Sequence, residues 1–274
     1  MSEPEDVQAE AEEKSAPSAY VVYEAIRSEG EHELERKTSS LAWSGLAAGL
    51  SMGFSLLSQA LLRHHLPQSD WQPLIAKLGY AVGFLIVILG RQQLFTENTL
   101  TVILPLLVGQ TTRLFGNVVR LWSVVFLANV AGAFIFALVM AKTAAVDPAV
   151  REMVDRVADE ALSQPFGTTL LRAIFAGWLI ALMVWLIPAA EAARFWVIVV
   201  ITYLIGLGHF PHVVAGSVEA FYLAINGMRT WWQVLGGFLL PTLIGNIIGG
   251  VTLVAALAHA QIVGDKEKDA EQHG

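Results

Sequence analysis

The chain has 274 residues, of which 55% are hydrophobic and 15% charged, and its mean hydropathy is +0.56. This composition is typical of a polytopic membrane protein and excludes an ordinary soluble domain. There are no cysteines, so disulfides and thiol chemistry are excluded, and a net charge of -7 argues against a nucleic-acid partner.

The two ends of the chain are polar. Residues 1–18 are acidic with almost nothing to bury, which predicts a disordered tail and not a signal peptide. Residues 263–274 form a second charged tail. The apolar region between them, residues 39–262, is expected to be a transmembrane pore domain.

A short amphipathic segment precedes that region, at residues 19–38. Tyr20, Tyr23 and Ile26 fall at helical spacing among charged residues, which predicts a helix with one apolar face. Such a helix either lies along the membrane or caps the bundle. Gly30 is a candidate break within it.

Six apolar runs are long enough to cross about 30 Å of hydrocarbon. They cover about residues 41–62, 71–90, 118–141, 168–188, 195–225 and 232–259. Residues 150–162, between the third and fourth runs, have the charged amphipathic pattern of a surface helix. An even number of spans places both termini on one side, and a slight excess of Lys and Arg favours the cytoplasm.

The fifth run is interrupted by the sequence GLGHFPHVVAGS at residues 206–217. An ionisable group at membrane depth costs about 2.5–3.5 kcal/mol and usually faces a cavity or a partner. The broken backbone is tolerated only where protein or a water-filled path satisfies it. The pattern predicts a binding or permeation site, and a packed histidine at a proline kink is the alternative. A second break, at residues 91–98, follows the second run and precedes a short apolar segment, 99–108.

Asn129 and Asn246 stand in similar small-Asn-x-x-Gly sequences 117 positions apart. Phe95 lies 34 positions before Asn129, and His212 lies 34 positions before Asn246. The pattern predicts two inverted three-helix repeats whose middle helices, the second and fifth of six, are broken, with a substrate path between the breaks. Each Asn is expected to hydrogen-bond the backbone freed by a break, or simply to pack between helices.

Leu94-Phe95-Thr96, Phe210-Pro211-His212 and the sequence GNIIGG at 245–250 resemble the formate/nitrite transporter family over about residues 20–260. The resemblance implies an all-α, aquaporin-like six-helix protomer that forms homopentamers in bacterial inner membranes. It also implies that the protein passes small monovalent anions, or their conjugate acids, and is not an enzyme. No cofactor or metal is expected, because His209 and His212 alone supply too few ligands.

The resemblance also assigns residues. His212 matches the central pore histidine, Thr96 the threonine that faces it, Leu94 and Phe95 the constriction, and Asn246 the asparagine near the pore loops. Further pore candidates are Asn129, Phe210, His209 and Arg91. His212 is expected to donate a proton to the incoming anion, since histidine ionises near neutral pH. Pro211 is expected in the first turn of a half-helix whose free N–H groups favour anions.

The sequence departs from the family pattern at four places, one of which is a lysine before the fourth span that has no clear match here. Pro211 replaces a glutamate before the central histidine, Gly177 aligns with a fourth-helix asparagine, and Arg91-Gln-Gln precedes Leu94. Arg91 either adds positive potential for an anion or pairs with Glu97.

Three other function classes compete with this interpretation. A channel for water or another small solute would show paired Asn-Pro-Ala loops, and an intramembrane protease a Gly-x-Ser-Gly or His-Glu-x-x-His sequence. The sequence has none of these motifs. A non-transporting scaffold or sensor that retains the fold remains an alternative.

Overall fold

The computed structural model describes residues 17–261, which are helical throughout apart from short connections. The helices are α1 Ala19–Glu35, α2 Thr38–His65, α3 Gln72–Leu89, α4 Asn98–Gly109, α5 Thr112–Lys142, α6 Pro148–Ala161, α7 Phe166–Leu186, α8 Arg194–Leu207, α9 Val213–Ile225 and α10 Gln233–Gly250. The acidic tail up to residue 16 and the C-terminal tail at 263–274 lie outside the described residues.

Five of these helices, α2, α3, α5, α7 and α10, are long and apolar enough to cross a membrane. The fifth predicted run forms two shorter helices, α8 of 14 residues and α9 of 13. At 1.5 Å per residue each is about 20 Å long, so neither crosses the hydrocarbon alone. The helical path is also interrupted between α3 and α4.

The two interruptions have similar backbones. Arg91 and His209 both adopt the left-handed conformation, with φ of 51° and 49°, and His209 lies 118 positions after Arg91. Gln110 and Gly227, at the ends of α4 and α9, also have positive φ and lie 117 positions apart. Left-handed backbone is uncommon for non-glycine residues. Here it recurs at positions 117 or 118 apart, close to the offset of 117 between Asn129 and Asn246. This recurrence indicates that the two interruptions have related local structures.

Two close helix pairs, α2 with α5 and α7 with α10, form the largest contacts. A Cβ added at Gly49 would lie 2.1 Å from the Asn129 carbonyl oxygen, and one at Gly177 would lie 2.2 Å from that of Asn246. Glycine at these points lets the backbones touch. Gly177 therefore contributes to helix packing at the same kind of position as Gly49.

Helix α1 caps the bundle. It buries Val22, Tyr23, Ile26 and Leu34 and packs on α4 and α5. The predicted break at Gly30 is wrong, because α1 is continuous and a Cβ there would meet the Thr101 carbonyl oxygen at 2.0 Å.

Helix α6 covers the opposite end of α2. Its residues Val150, Val154, Val157 and Ala158 are buried against the bundle, so it is only partly a surface helix. Arg63 near the end of α2 donates two 2.7 Å hydrogen bonds to Glu160, and the Tyr222 hydroxyl donates to Asp155 at 2.8 Å. The end of the bundle that α1 covers is called the α1 side, and the end that α6 covers is called the α6 side. Since α2 has 28 residues, the two ends are about 40 Å apart.

Candidate functional site

The first break is held by Asn129. Its Oδ1 accepts the Phe95 N–H at 2.9 Å, and its Nδ2 donates to the carbonyl oxygens of Gly45 and Gln93, each at 2.8 Å. Asn129 is fully buried. Unpaired backbone groups at this depth are costly. Asn129 satisfies two of them at the break, the Phe95 N–H and the Gln93 carbonyl, and its third bond anchors it to α2.

Asn246 holds the second break in the same way. Its Oδ1 accepts the Val213 N–H at 2.8 Å, and its Nδ2 donates to Ala173 at 2.8 Å and to Pro211 at 3.0 Å. The predicted bonds from both asparagines to the broken backbone are therefore confirmed. The placement of Pro211 in the first helical turn is wrong, because α9 begins at Val213 with His212 as its N-cap.

The two breaks meet at His212 and Thr96, which are 1% and 0% exposed. A 2.6 Å hydrogen bond joins His212 Nε2 to Thr96 Oγ1, and the Ala215 N–H donates to His212 Nδ1 at 3.2 Å. The Phe84 ring packs edge-on against the imidazole at 4.9 Å between centroids.

These bonds fix the tautomer of His212. Because Nδ1 accepts from Ala215, a neutral ring carries its proton on Nε2 and donates it to Thr96. The hydroxyl proton of Thr96 is then left for another acceptor. The pair can therefore offer one hydrogen-bond donor to an anion or a carbonyl-like group in apolar surroundings.

Leu94 and Phe95 are also buried, at 1% and 2% exposure. The Phe95 ring packs edge-on against Trp122 and Phe126. Leu94 lines a cavity of about 350 Å³ on the α1 side. The constriction residues implied by the family resemblance thus lie together, between that cavity and His212.

The α1-side cavity has a charged lining, made of Glu29, Glu33, Arg36, Arg91, Glu97 and Arg194. Arg91 forms an ion pair of 3.3 Å with Glu29, so the alternative pairing with Glu97 is not found. The remaining alternative, a positive contribution to the cavity, agrees with the position of Arg91 in its lining. Glutamates balance the arginines, so the mouth is polar and not strongly cationic.

A smaller cavity of about 40 Å³ lies beside His212 on the α6 side. The second break supplies His209, Phe210 and Pro211 to its lining. His209 is exposed, whereas Phe210 stacks on the Phe175 ring with centroids 5.3 Å apart. All nine predicted site residues therefore lie at the two breaks or contact them.

A lysine and a glutamate of the α6-side cavity were not predicted, Lys77 from α3 and Glu219 from α9. Each is only 7% exposed. Neither residue is among the pore candidates predicted from the sequence. Both stand inside predicted spans, so the rule that singled out the histidines would also have found them.

The chain is similar to known membrane proteins. A family model described as formate/nitrite transporter matches residues 20–260. The chain is 43% identical to the inner membrane protein YfdC of Escherichia coli (strain K12), over 93% of this chain and 83% of that protein. It is 27% identical to the formate channel BtFdhC of Bacillus thuringiensis, over 76% and 80% respectively.

Two solved structures share the fold. An FNT family ion channel matches with a TM-score of 0.76 at 19% identity, covering 86% of this chain and 97% of that one. A structure titled as a pentameric formate channel with formate bound matches with a TM-score of 0.68 at 17% identity, covering 82% and 98%.

Proposed function

The chain belongs to the formate/nitrite transporter family, and we propose that it passes small monovalent anions, or their conjugate acids, through a pore centred on His212 and Thr96. The observation that carries the proposal is the buried hydrogen bond between these two residues, which joins both helix breaks. Cavities adjoin this centre on the α1 side and the α6 side. The formate channel names of two similar proteins support the substrate class.

The proposed architecture is the aquaporin-like arrangement of six transmembrane helices in two inverted three-helix repeats. In it α3 with α4 is the broken second helix, and α8 with α9 is the broken fifth helix. The matching positive φ angles support this architecture, and so do the hydrogen bonds of Asn129 and Asn246 to the backbone at the two breaks. The inverted orientation follows from an odd number of spans in each repeat.

Charge decides how a substrate crosses the buried centre. Moving an isolated anion into apolar surroundings costs tens of kcal/mol in the idealised limit, whereas its neutral acid avoids most of that cost. The N-terminus of α9 offers partial positive charge at His212. We therefore propose that the substrate passes the Leu94–Phe95 constriction as the neutral acid.

The finer hypothesis makes His212 the proton donor. In the described geometry the ring is neutral and its only N–H points to Thr96. To release a proton, His212 must first gain one at Nδ1, and this step removes its bond from the Ala215 N–H. Such a cycle makes the flux depend on pH.

Uptake into proteoliposomes tests the transport proposal. Formate, nitrite, hydrosulfide and acetate are compared between about pH 5 and 8, the range in which histidine titrates. We expect pH-dependent flux of at least one of these anions, and its loss in His212→Ala. If the wild type carries none of them, the transport proposal fails and the scaffold or sensor alternative gains support.

The proton-donor hypothesis needs a separate variant. His212→Asn keeps a hydrogen-bonding side chain but cannot titrate, so it is expected to assemble normally and to lose the pH dependence of flux. Residual flux with the wild-type pH profile would rule out proton donation by His212.

Assembly and location complete the proposal. We propose a homopentamer in a bacterial inner membrane with both termini in the cytoplasm, supported by the pentameric solved neighbour and the inner membrane relative. Native mass spectrometry of the detergent-solubilised protein tests the pentamer. Protease accessibility of tagged termini in spheroplasts and in inverted vesicles tests the orientation.

A further inference from the structure

The buried pair Lys77 and Glu219 has no part in the function described so far. Both line the α6-side cavity together with His212. Lysine and glutamate are rarely buried without a partner, and inside a membrane such residues usually mark the route of an ion or proton.

Lys77 of α3 is held in place by a hydrogen bond to α2, which a second hydrogen bond within α2 supports. Its Nζ donates to Gln59 Oε1 at 3.0 Å, and Gln59 Nε2 donates to the Ser55 carbonyl oxygen at 3.1 Å. It lies in a 3-10 turn, Lys77–Gly79, that interrupts α3. An ammonium group has three N–H donors, so two remain for a ligand in the cavity.

Glu219 is less well satisfied. Within residues 17–261 its carboxyl group makes no hydrogen bond and no ion pair, although it lines the cavity and is 93% buried. An unpaired carboxylate in such a place is costly, whereas a protonated carboxyl group is tolerated and has a proton to give.

We infer that Lys77 and Glu219 form a proton-exchanging anion site on the α6 side of His212. This inference rests on the proposed transport of small anions. The Lys77 ammonium binds the anion, and the protonated Glu219 carboxyl group donates its proton to it. The O–H bond of Glu219 breaks, an O–H bond forms on the anion, and the neutral acid moves on towards His212 and Thr96.

Charge balance supports this assignment. Before the transfer, the cavity holds an anion, the Lys77 cation and a neutral acid. Afterwards it holds a neutral acid, the Lys77 cation and the Glu219 carboxylate. The sum is zero in both states, so neither state buries a net charge. For an anion that enters from the α6 side, Glu219 thus takes the place of His212 as the proton donor, and it regains its proton from water on that side.

The other ionisable groups in and around the cavity that Lys77 and Glu219 line come from several elements. They are Tyr80 from α3, His209 and His212 from the second break, Arg63 from α2, Glu160 from α6 and Arg172 from α7. Arg63 and Glu160 neutralise each other in an ion pair. Lys77 is therefore the cation best placed to stabilise the Glu219 carboxylate.

The test measures formate uptake and the accompanying proton uptake in proteoliposomes. Glu219→Gln keeps the size of the side chain and removes its proton, and Lys77→Met keeps most of the apolar stem and removes the charge. We expect Glu219→Gln to lower formate flux at least tenfold and to abolish its pH dependence, and Lys77→Met to raise the half-saturating formate concentration at least tenfold. Glu35→Gln and Lys142→Met, matched changes at exposed positions, are expected to behave as the wild type.

Normal flux and proton uptake in both Glu219→Gln and Lys77→Met would overturn the inference. If His212→Ala abolishes flux in the same experiment, the transport proposal stands while the proposed site falls. Size-exclusion profiles of all variants exclude misassembly as the cause of a loss.

Infrared difference spectroscopy gives a readout that does not depend on transport. Addition of formate to the purified protein is expected to weaken the C=O band of a protonated carboxyl group, and this change is expected to be absent in Glu219→Gln. An unchanged carboxyl band in the wild type would overturn the inference even if the protein carried formate.

Discussion

Asn129 and Asn246 make the same set of three hydrogen bonds in the two parts of the chain. Each accepts one backbone N–H at a helix break and donates to the carbonyl two residues earlier in the chain. The third bond reaches the neighbouring long helix, at Gly45 in α2 or at Ala173 in α7. One amide thus joins an interrupted backbone to a close helix pair.

Removing either amide is expected to destabilise the fold. Asn129→Ala and Asn246→Ala each leave one buried N–H and one buried carbonyl at a helix break unpaired, at a cost of at least about 2 kcal/mol. We expect the melting temperature in detergent to fall by roughly 5 °C or more. Asn117→Ala, at a half-buried position of α5, is expected to change it little. Equal effects at all three positions would contradict the role of Asn129 and Asn246 in holding the two helix breaks.

Thr96 is expected to matter through its hydroxyl group. Thr96→Val keeps the volume but leaves the Nε2–H of His212 without an acceptor, so flux of the transported anion is expected to fall at least tenfold. The lost bond costs about 1–3 kcal/mol, which assembly is expected to survive. Thr96→Ser retains the hydroxyl group and is expected to keep most of the flux. Wild-type uptake by the valine variant would show that this bond has no role in transport.

The close helix pairs predict opposite effects of the same substitution at different glycines. Gly49→Ala and Gly177→Ala would place a Cβ about 2 Å from a backbone oxygen, so each is expected to lower stability by about 1–3 kcal/mol or more. At Gly116 a Cβ meets nothing within 4 Å, and alanine there is expected to stabilise α5 by up to about 1 kcal/mol. Thermal unfolding of the three variants checks the order.

The attachment of α6 is expected to depend on acidity. Burial raises the pKa of the Glu160 carboxyl group, but the hydrogen bonds and charge of Arg63 lower it by more, so the pKa lies below its ordinary value. A depressed pKa gives a stabilisation that is present above the ordinary value and is lost as the pH falls through the folded one. Glu160 is 42% exposed, so solvent screening limits the contribution to about 1 kcal/mol or less.

Glu160→Gln tests this expectation by thermal unfolding at several pH values. The melting temperature of the variant is expected to lie below that of the wild type from about pH 5 to 8, and the two are expected to converge below about pH 4. Glu152→Gln, at an exposed position of α6, is the matched control. A difference that persists undiminished in acid would mean that Glu160 acts through packing and not through its charge.

Hydropathy and break positions predicted the helices well, because apolar length and helix-breaking residues are local properties of the sequence. The predicted run at 168–188 corresponds to α7 at Phe166–Leu186. The asparagine bonds were predicted as well, since they follow from the spacing of two similar sequences. Neither the length of an apolar run nor the spacing of a motif depends on which residues come into contact in the folded chain.

The errors concern long-range contacts. Gly30 lies within a continuous helix because α4 presses on it at Thr101, and Arg91 pairs with Glu29, which is 62 positions away. Gly177, which the resemblance aligns with a fourth-helix asparagine, lies against the backbone of Asn246. A glycine in a sequence indicates either a flexible backbone or a close contact between helices, and only the packing of another helix shows which of the two applies.

The separation of the two cavities has an electrical consequence. Within residues 17–261, the side chains of Leu94, Phe95, Thr96 and His212 fill the centre and are at most 2% exposed. If the pore runs through this centre as proposed, it offers no conducting water column, and a membrane crowded with this protein keeps its resistance. If only uncharged molecules pass, each crossing moves matter without current, and the cell can exchange a weak acid without discharging its membrane potential.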